Sequence, residues 1–174
     1  MDETNKIKTA FQRVASALKQ RPAFGLGTGT STTRIMDGLT CETREGNWTF
    51  LVDMPEQAGG NGKGPTPGVY GRAALGSCLA IGYVMRAAIM NIPVSSLEVE
   101  IQADYNDGAL FGTAAGVPPG YLDVRYIVRV ESDASEEDIV KLIDEADRHS
   151  PYLDVFTRAQ NCHREIKVIT PKHI

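Results

Sequence analysis

The sequence has little of what marks a disulfide scaffold, a metal centre or a cofactor site. Its three cysteines, Cys41, Cys78 and Cys162, form no CxxC motif, and its three histidines are scattered along the chain. Such sparse cysteine usage is typical of a reduced, cytoplasmic protein rather than of a disulfide-bonded or zinc-binding one. No dinucleotide-binding fingerprint occurs either. We therefore expect no metal, no cofactor and a cytoplasmic location.

The sequence also lacks any block of positive charge. Its net charge is −4, which removes the usual electrostatic basis for binding nucleic acid or an anionic membrane. The first six residues are polar and acidic, unlike a secretory signal. With 174 residues, of which 42% are hydrophobic and 23% charged, the chain suits one folded domain with a full core.

One long apolar run is present, and it extends from Pro67 to Ile92. Its length predicts a helix of about 24 residues, or roughly 36 Å. That length approaches a transmembrane span, but Arg72 and Arg86 interrupt the run and four glycines weaken it, so we interpret it as a buried central helix without a membrane. The larger side chains that recur at helical spacing along it are those of Leu75, Cys78, Ile81 and Met85.

The segment before the central helix predicts one amphipathic helix and three strands. The helix covers residues 6–18 and ends before Pro22, because proline disfavours helical geometry in the residue preceding it. Turn residues at 37–38 and 45–47 separate the strands, which predicts an antiparallel meander. The predicted strands are residues 24–35, 39–43 and 48–54.

The segment after the central helix predicts further strands and helices. Residues 96–104 and 121–130 alternate as strands, residues 132–149 form a helix capped by Ser135 or Asp133, residues 152–159 form a short helix, and residues 163–170 form a last strand. The order predicts an α+β fold with an antiparallel β-sheet packed on the long central helix. We divide the chain into an N-terminal helical extension, residues 1–22, and one domain, residues 23–174.

A glycine-rich loop, residues 55–67, stands directly before the central helix. A loop in this place is either a route for substrate toward the Cys78 thiol or a flexible connector. The sequence favours neither.

These features resemble the OsmC/Ohr family. The resemblance rests on Gly64-Pro65-Thr66-Pro67, followed after ten residues by Cys78 inside Ala-Leu-Gly-Ser-Cys-Leu-Ala. The meander before this segment, the two strands after it and the late helix ending in Ser150-Pro151 fit the same family. The resemblance extends over about residues 24–170.

The resemblance implies an intertwined homodimer in which two long central helices are wrapped by sheets from both chains. The small residues between Gly71 and Gly82 would let those helices approach closely. It also implies a thiol-dependent peroxidase that reduces organic hydroperoxides in oxidative-stress defence. In this chemistry Cys78 attacks the distal peroxide oxygen and becomes a sulfenic acid, and a thiol reductant restores it. Gly64, Pro67 and Gly68 would belong to the substrate loop.

The sequence departs from the family pattern at the resolving cysteine. Ser150 stands at that position, and serine cannot form a disulfide. Cys162 is the only later thiol. The helix between them would place Cys162 on the order of 15 Å away, whereas a disulfide needs Cα atoms within about 7 Å. Cys162 and Cys41 are therefore weak substitutes as resolving thiols.

A second departure concerns the charged partners of the thiol. Active members have a glutamate that orients a thiolate-stabilising arginine, and Gly68 stands at the glutamate position. Arg34 is the nearest candidate for the arginine, and Arg44 is another. Arg72 lies six residues before Cys78, about 120° away around the helix, which makes it a poor direct partner of the thiol.

Three hypotheses for Cys78 follow. It is the reactive thiol of a single-cysteine peroxidase recycled by an external thiol. Alternatively, the chain is an OsmC-like dimer that has lost peroxidase chemistry and binds a small apolar ligand, or Cys78 is a buried small hydrophobe. A second thiol or an arginine facing Cys78 would favour the peroxidase. An uncharged apolar pocket would favour the ligand-binding dimer, and a core that encloses the sulfur completely would favour the buried small hydrophobe.

Overall fold

The fold is built around one long helix near the middle of the chain. The computed structural model describes residues 3–169 and has an α+β architecture. The helices are α1 (Glu3–Gln20), α2 (Pro67–Met90), α3 (Asp107–Leu110), α4 (Glu136–Asp147) and α5 (Pro151–Thr157), with 3-10 turns at Pro22–Gly25 and Glu56–Ala58. The strands are β1 (Thr32–Asp37), β2 (Thr40–Glu45), β3 (Trp48–Val52), β4 (Ser96–Asp104) and β5 (Asp123–Glu131).

The strands form two separate antiparallel sheets. The first has the order β1-β2-β3, which is the predicted meander, and its first hairpin turns at Gly38 with a positive φ of 57°. The second pairs β4 with β5 along their whole length, from Ser96 opposite Glu131 to Asp104 opposite Asp123. It is this second sheet that packs on α2.

The core lies between α2, the β4–β5 sheet and α4. Leu75, Leu79 and Tyr83, spaced by four residues along α2, are each at most 1% exposed and belong to one buried cluster with Leu142 of α4. Ile81 is 61% exposed, so the buried stripe differs from the one that helical spacing suggested. In a helix that is apolar on every side, periodicity does not single out a face.

Helix α2 has clear signals at both ends. Pro67 occupies its first turn, where a missing N–H costs nothing, and Asn91 ends it in the left-handed conformation with φ 56°. Gly76 lets β4 approach closely, because a Cβ there would lie 3.2 Å from Cγ1 of Ile101. By length and a mean hydropathy of 1.6, α2 would suit a membrane span, but here it supplies most of the domain core.

Two predicted strand segments are wrong. Residues 163–169 form no strand, and residue 170 lies outside the described residues. Val168 is 89% exposed and no neighbouring strand pairs with this segment in the described part of the chain. Residues 24–31 also stay outside β1, and Leu26 is 84% exposed. Alternation of apolar residues does not make a strand where no ladder partner is available.

The N-terminal helix α1 packs against the C-terminal part of α2. The Arg86 guanidinium lies 5.3 Å from the centre of the Phe11 ring, and Lys8 Nζ donates to Asn91 Oδ1 at 2.5 Å. α1 ends at Gln20, before Pro22, as the sequence predicted. The division of the chain at residue 22 stays a prediction.

Candidate functional site

Cys78 lies half-buried in the middle of α2, beside the start of α5. Its Sγ is 3.6 Å from Oγ of Ser150, which is only 8% exposed. Ser150 is the N-cap of α5, where its oxygen accepts a hydrogen bond from the Leu153 N–H at 3.3 Å. That bond leaves the Ser150 hydroxyl proton free to be donated to the sulfur of Cys78. The structure therefore pairs the thiol with a hydroxyl at the position that the family resemblance assigns to a resolving cysteine.

A partly buried hydrogen-bond network holds the end of α4 against α2. Tyr83 Oη donates to Oδ1 of Asp147 and Tyr126 Oη donates to Oδ2, both at 2.7 Å. Burial, and then the bond to Asp147, raise the pKa of Tyr126 to about 12, and the same causes raise the pKa of Tyr83. Both phenols remain donors at neutral pH. Asp147 precedes Ser150 by three residues, so the network fixes the segment that brings Ser150 to Cys78.

No second thiol bonds to Cys78 within residues 3–169. All three cysteines are free. Cys41 is half-buried on β2, where its Sγ lies 3.6 Å from the Leu39 carbonyl oxygen, and Cys162 is exposed after α5. Neither residue forms a disulfide or a hydrogen bond with Cys78 or Ser150 in the described structure.

The glycine-rich loop is held in place by the buried carboxylate of Asp53. This group accepts hydrogen bonds from Thr40 Oγ1 at 2.8 Å and from the N–H groups of Met54, Asn61 and Lys63 at 2.7, 3.3 and 3.1 Å. Burial alone would raise the pKa of Asp53, but the bond from Thr40 and the backbone donors outweigh it and lower that pKa. These hydrogen bonds hold the loop against the β2–β3 hairpin, and its place in a substrate route stays a prediction.

Gly64, one of the predicted substrate-loop residues, is required by packing. A Cβ at this position would lie 2.7 Å from the Leu51 carbonyl oxygen, at the end of β3. The same end of β3 contacts α2, because Tyr70 Oη donates to the Leu51 carbonyl at 2.7 Å. Gly64 thus lets the loop pass close to the sheet just before α2 begins at Pro67.

Gly68, Arg72 and Tyr121 meet at the first turns of α2. Tyr121 Oη donates to the Gly68 carbonyl at 3.0 Å, and Arg72 Nη1 donates to Tyr121 Oη at 3.4 Å. A Cβ built on Gly68 would lie 3.4 Å from Arg72 Nη1 and 3.7 Å from Tyr121 Oη. The position to which the resemblance assigns a glutamate is therefore bordered by a guanidinium and a phenol. The Tyr121 ring stacks on Phe156 of α5, with centroids 6.2 Å apart.

The structure does not bring Arg34 to Cys78 within one chain. Arg34 lies on β1 opposite Glu42, and no hydrogen bond or ion pair joins it to Cys78 among residues 3–169. The Arg44 side chain donates a hydrogen bond to Glu42 at 2.7 Å. This bond lowers the pKa of Glu42 most, and the charges of Arg44 and Arg34 lower it further, although desolvation opposes the shift. Within the single chain, both candidate arginines therefore lie beside Glu42 on the β1–β3 meander.

Other polar residues near α5 have local partners. His149 Nδ1 lies 2.9 Å from the Glu145 carbonyl oxygen at the end of α4, and Asp154 forms an ion pair with Arg158 at 2.6 Å. Among the described residues, no group of three histidine, cysteine or carboxylate side chains converges as a metal site.

Sequence reasoning missed Asp53, Tyr121 and the Tyr83–Asp147 bond. A weak signal existed for Asp53, since an acidic residue between a strand and a glycine-rich loop often accepts backbone N–H bonds. Tyr121 and Asp147 have no local signal, because their partners lie far away in sequence, at 53 and 64 residues respectively.

Comparison with known proteins connects this chain to one family. The family model described as OsmC-like protein matches residues 60–163. No functionally curated protein matches the chain significantly.

Solved structures share the fold. The OsmC-like protein of Mycoplasma pneumoniae has a TM-score of 0.65 and 14% identity, over 75% of this chain and 87% of that one. An organic hydroperoxide resistance protein OsmC of Legionella pneumophila has a TM-score of 0.54 and 16% identity, over 76% of this chain and 90% of that one. An organic hydroperoxide resistance protein from Elizabethkingia anophelis has a TM-score of 0.55 and 17% identity, over 76% of this chain and 89% of that one. At these identities the likeness establishes the fold.

Proposed function

The chain belongs to the OsmC-like protein family, and from this premise we propose that it is a thiol-dependent peroxidase that reduces organic hydroperoxides at Cys78. The observation that carries the proposal is the pairing of a half-buried Cys78 thiol with the Ser150 hydroxyl at 3.6 Å. A sulfur sealed in the core would argue for a packing role alone. Two of the similar structures are organic hydroperoxide resistance proteins, which supports the same chemistry.

The first step oxidises Cys78. Its thiolate attacks the distal oxygen of the hydroperoxide, the O–O bond breaks, and the alkoxide takes up a proton and leaves as the alcohol. Cys78 becomes a sulfenic acid. A donated hydrogen bond from Ser150 stabilises negative charge on the sulfur before the attack and orients the sulfenic acid after it.

The second step needs an external thiol, because Ser150 cannot supply a disulfide. One thiol condenses with the Cys78 sulfenic acid and releases water, which leaves a mixed disulfide. A second thiol attacks that disulfide, restores the Cys78 thiol and leaves as the oxidised disulfide of the reductant. We therefore propose a single-cysteine enzyme acting in a reducing, cytoplasmic compartment.

The proposal includes a homodimer, as the family resemblance implies. Within one chain, the β1–β3 meander leaves large apolar side chains open, with Trp48 78% exposed and Ile35 60% exposed. Ile81 on α2 is 61% exposed. A second copy covering these surfaces would bury them, and its meander would bring an Arg34 toward the Cys78 of the first chain.

A second candidate function is binding of a small apolar ligand without peroxidase chemistry. An apolar groove between α1, α2 and β4 favours it, since none of the described residues that line the groove is charged. Its larger lining residues are Ile7, Ile81, Val84, Met85, Val94 and Leu97.

The decisive experiment compares wild-type protein with Cys78→Ser in cumene hydroperoxide reduction, with dithiothreitol as reductant. Cys41→Ser and Cys162→Ser are the matched controls, because each removes one thiol outside the site. We expect turnover in the wild type and both controls, and a loss of at least a hundredfold in Cys78→Ser, since the nucleophile is gone. If all four proteins are equally inactive and Cys78 stays unoxidised, the peroxidase proposal fails and the ligand-binding function is favoured instead.

A further inference from the structure

We propose that α1 and the 3-10 turn after it bind the protein to a lipid surface that contains anionic phospholipid. This inference does not depend on the peroxidase proposal. It begins from the distribution of charge, because residues 4–36 contain six lysine or arginine side chains and none of the 22 aspartate and glutamate side chains. Five of the six lie between Lys6 and Arg21. The net charge of −4 hides this separation, which is why the sequence predicted no membrane partner.

Helix α1 is covered by the domain along its first half only. Its partly buried residues all lie between Ile7 and Phe11, whereas every residue from 12 to 20 is exposed. The exposed residues form about two and a half helical turns that no other helix or strand of the described chain buries. Val14 and Leu18 continue the apolar stripe of Ile7 and Phe11 at helical spacing, so the uncovered part of α1 is still amphipathic.

The 3-10 turn at Pro22–Gly25 extends this apolar stripe. It folds back on the helix, since a Cβ on Gly25 would lie 3.4 Å from Leu18 Cδ2. Phe24 is 66% exposed and Leu26 is 84% exposed. We call the four exposed apolar residues at this end of the molecule the apolar tip: Val14, Leu18, Phe24 and Leu26. A cluster of exposed large apolar side chains marks an interaction surface.

Basic side chains flank the apolar tip on both sides. Arg13 and Lys19 lie about 100° from the apolar stripe in opposite directions around the helix. The Arg21 guanidinium lies 5.3 Å from the centre of the Phe24 ring, so a third cation borders the tip. None of these three cations pairs with a carboxylate among residues 3–169. The single carboxylate of α1, that of Glu3, lies in its first turn, at the other end of the helix.

An apolar tip between basic side chains is complementary to the surface of an anionic bilayer. The apolar side chains enter the boundary between headgroups and acyl chains, and the long basic side chains reach the phosphates beside them. The opposite side of α1 carries the neutral polar residues Gln12, Ser16 and Gln20, which would face water in this orientation. Pairing two copies of the chain through their tips would bring like charges together, which disfavours a second copy as the occupant.

The test measures binding of the full chain to vesicles by co-sedimentation. One set of vesicles contains phosphatidylcholine alone, and the other contains equal parts of phosphatidylcholine and phosphatidylglycerol. Arg13→Gln/Lys19→Gln removes two charges beside the tip. Lys141→Gln/Lys167→Gln is its matched control, because both control lysines are exposed and lie outside α1.

A second pair of variants tests the apolar contribution. Phe24→Ser removes one side chain of the apolar tip. Phe111→Ser is its matched control, because Phe111 is 63% exposed directly after α3. All the substituted side chains are exposed, so each variant should keep the circular dichroism spectrum of the wild type.

We expect the wild type to bind the anionic vesicles and to stay in solution with phosphatidylcholine alone. Binding should weaken as salt rises from about 0.1 M to about 1 M, because the Debye length shortens from about 10 Å to about 3 Å. Arg13→Gln/Lys19→Gln should bind about twentyfold more weakly, at about fivefold for each basic residue near the surface. Phe24→Ser should bind about tenfold more weakly, and both controls should bind as the wild type does.

Three results would overturn the proposal. The first is a wild type that stays in solution with the anionic vesicles. The second is equal binding by each variant and its control. The third is a wild type that ignores vesicles while Phe24→Ser changes the oligomeric state in light scattering, which would assign the apolar tip to contact between copies of the chain. The experiment uses no peroxide, so its outcome is separate from that of the peroxidase assay.

Discussion

At the scale of single residues, the hydroxyl of Ser150 contacts the Cys78 thiol at the position that the family resemblance assigns to a resolving cysteine. Its Oγ lies 3.6 Å from Cys78 Sγ and is buried. The residue types at positions 78 and 150, and the resemblance that links them, were readable from the sequence. Their contact depends on α4 and α5 packing on α2, which involves residues 72 positions apart.

Ser150→Cys should convert the protein to a two-cysteine mechanism. The new sulfur starts within a small movement of disulfide distance from Cys78, so one equivalent of hydroperoxide should produce an intramolecular disulfide, with a mass loss of about 2 Da that dithiothreitol reverses. Intact-mass spectrometry measures it.

Ser77→Cys is the matched control for this variant. Ser77 adjoins Cys78 in sequence but lies on the exposed side of α2, bonded to the Ala74 carbonyl at 3.3 Å. We expect no disulfide there. A stable sulfenic acid in Ser150→Cys, with no disulfide, would show that the contact seen in the structure does not bring the two groups into reacting distance.

At the scale of elements, the ends and length of α2 were well predicted and its buried face was not. Pro67 marks the start of the helix and Asn91 its end, because proline and a left-handed residue are local signals. Leu79 and Tyr83 are buried because β4, β5 and α4 pack on their side of the helix. The sequence does not reveal that side, because α2 is apolar on its other faces as well. The predicted strand was wrong over residues 163–169 for the same reason, since a strand needs a neighbouring strand to pair with.

The network that joins α2, β5 and α4 predicts an alkaline limit to stability. Burial, and then Asp147, raise the pKa of Tyr126 to about 12, whereas an unfolded tyrosine titrates near pH 10. The folded state keeps this proton after the unfolded state has released it, so the free energy of unfolding should fall as pH rises from about 10 to 12.

Tyr126→Phe should show a shallower fall over that range, measured by urea unfolding. At neutral pH it should cost about 1 kcal/mol, because one oxygen of Asp147 loses its donor. Tyr105→Phe is the control, since Tyr105 is 59% exposed and should leave the slope as in wild type. Identical slopes for wild type and Tyr126→Phe would refute the assignment of this limit to the network.

At the scale of the whole molecule, the single chain leaves large apolar side chains exposed, and the proposed homodimer would cover them. The meander joins the rest of the domain at its β3 end, through the contact of Tyr70 with Phe50 and Leu51, and Trp48 stays 78% exposed. Exposed apolar patches of this kind mark interaction surfaces. The two-sheet arrangement was not readable from the strand pattern alone, because the pattern does not state which strands pair.

We expect light scattering to give twice the 18.9 kDa of one chain at micromolar concentration. Ile81→Glu should shift the protein toward the monomer, because it introduces a charge on the exposed apolar face of α2. Ile127→Glu is the matched control, since Ile127 is 40% exposed on the outer face of β5, between Arg125 and Arg129. A wild-type monomer, or equal behaviour of both variants, would contradict a dimer built on this face.

The most direct test of the account is whether a hydroperoxide oxidises Cys78 to a sulfenic acid. Reduced protein is treated with one equivalent of cumene hydroperoxide in the presence of dimedone, which traps sulfenic acids, and the modified peptide is identified by mass spectrometry. We expect the adduct on Cys78, with Cys41 and the exposed Cys162 unmodified. A protein that consumes no peroxide and carries no adduct, or one whose adduct lies mainly on Cys162, would contradict the account.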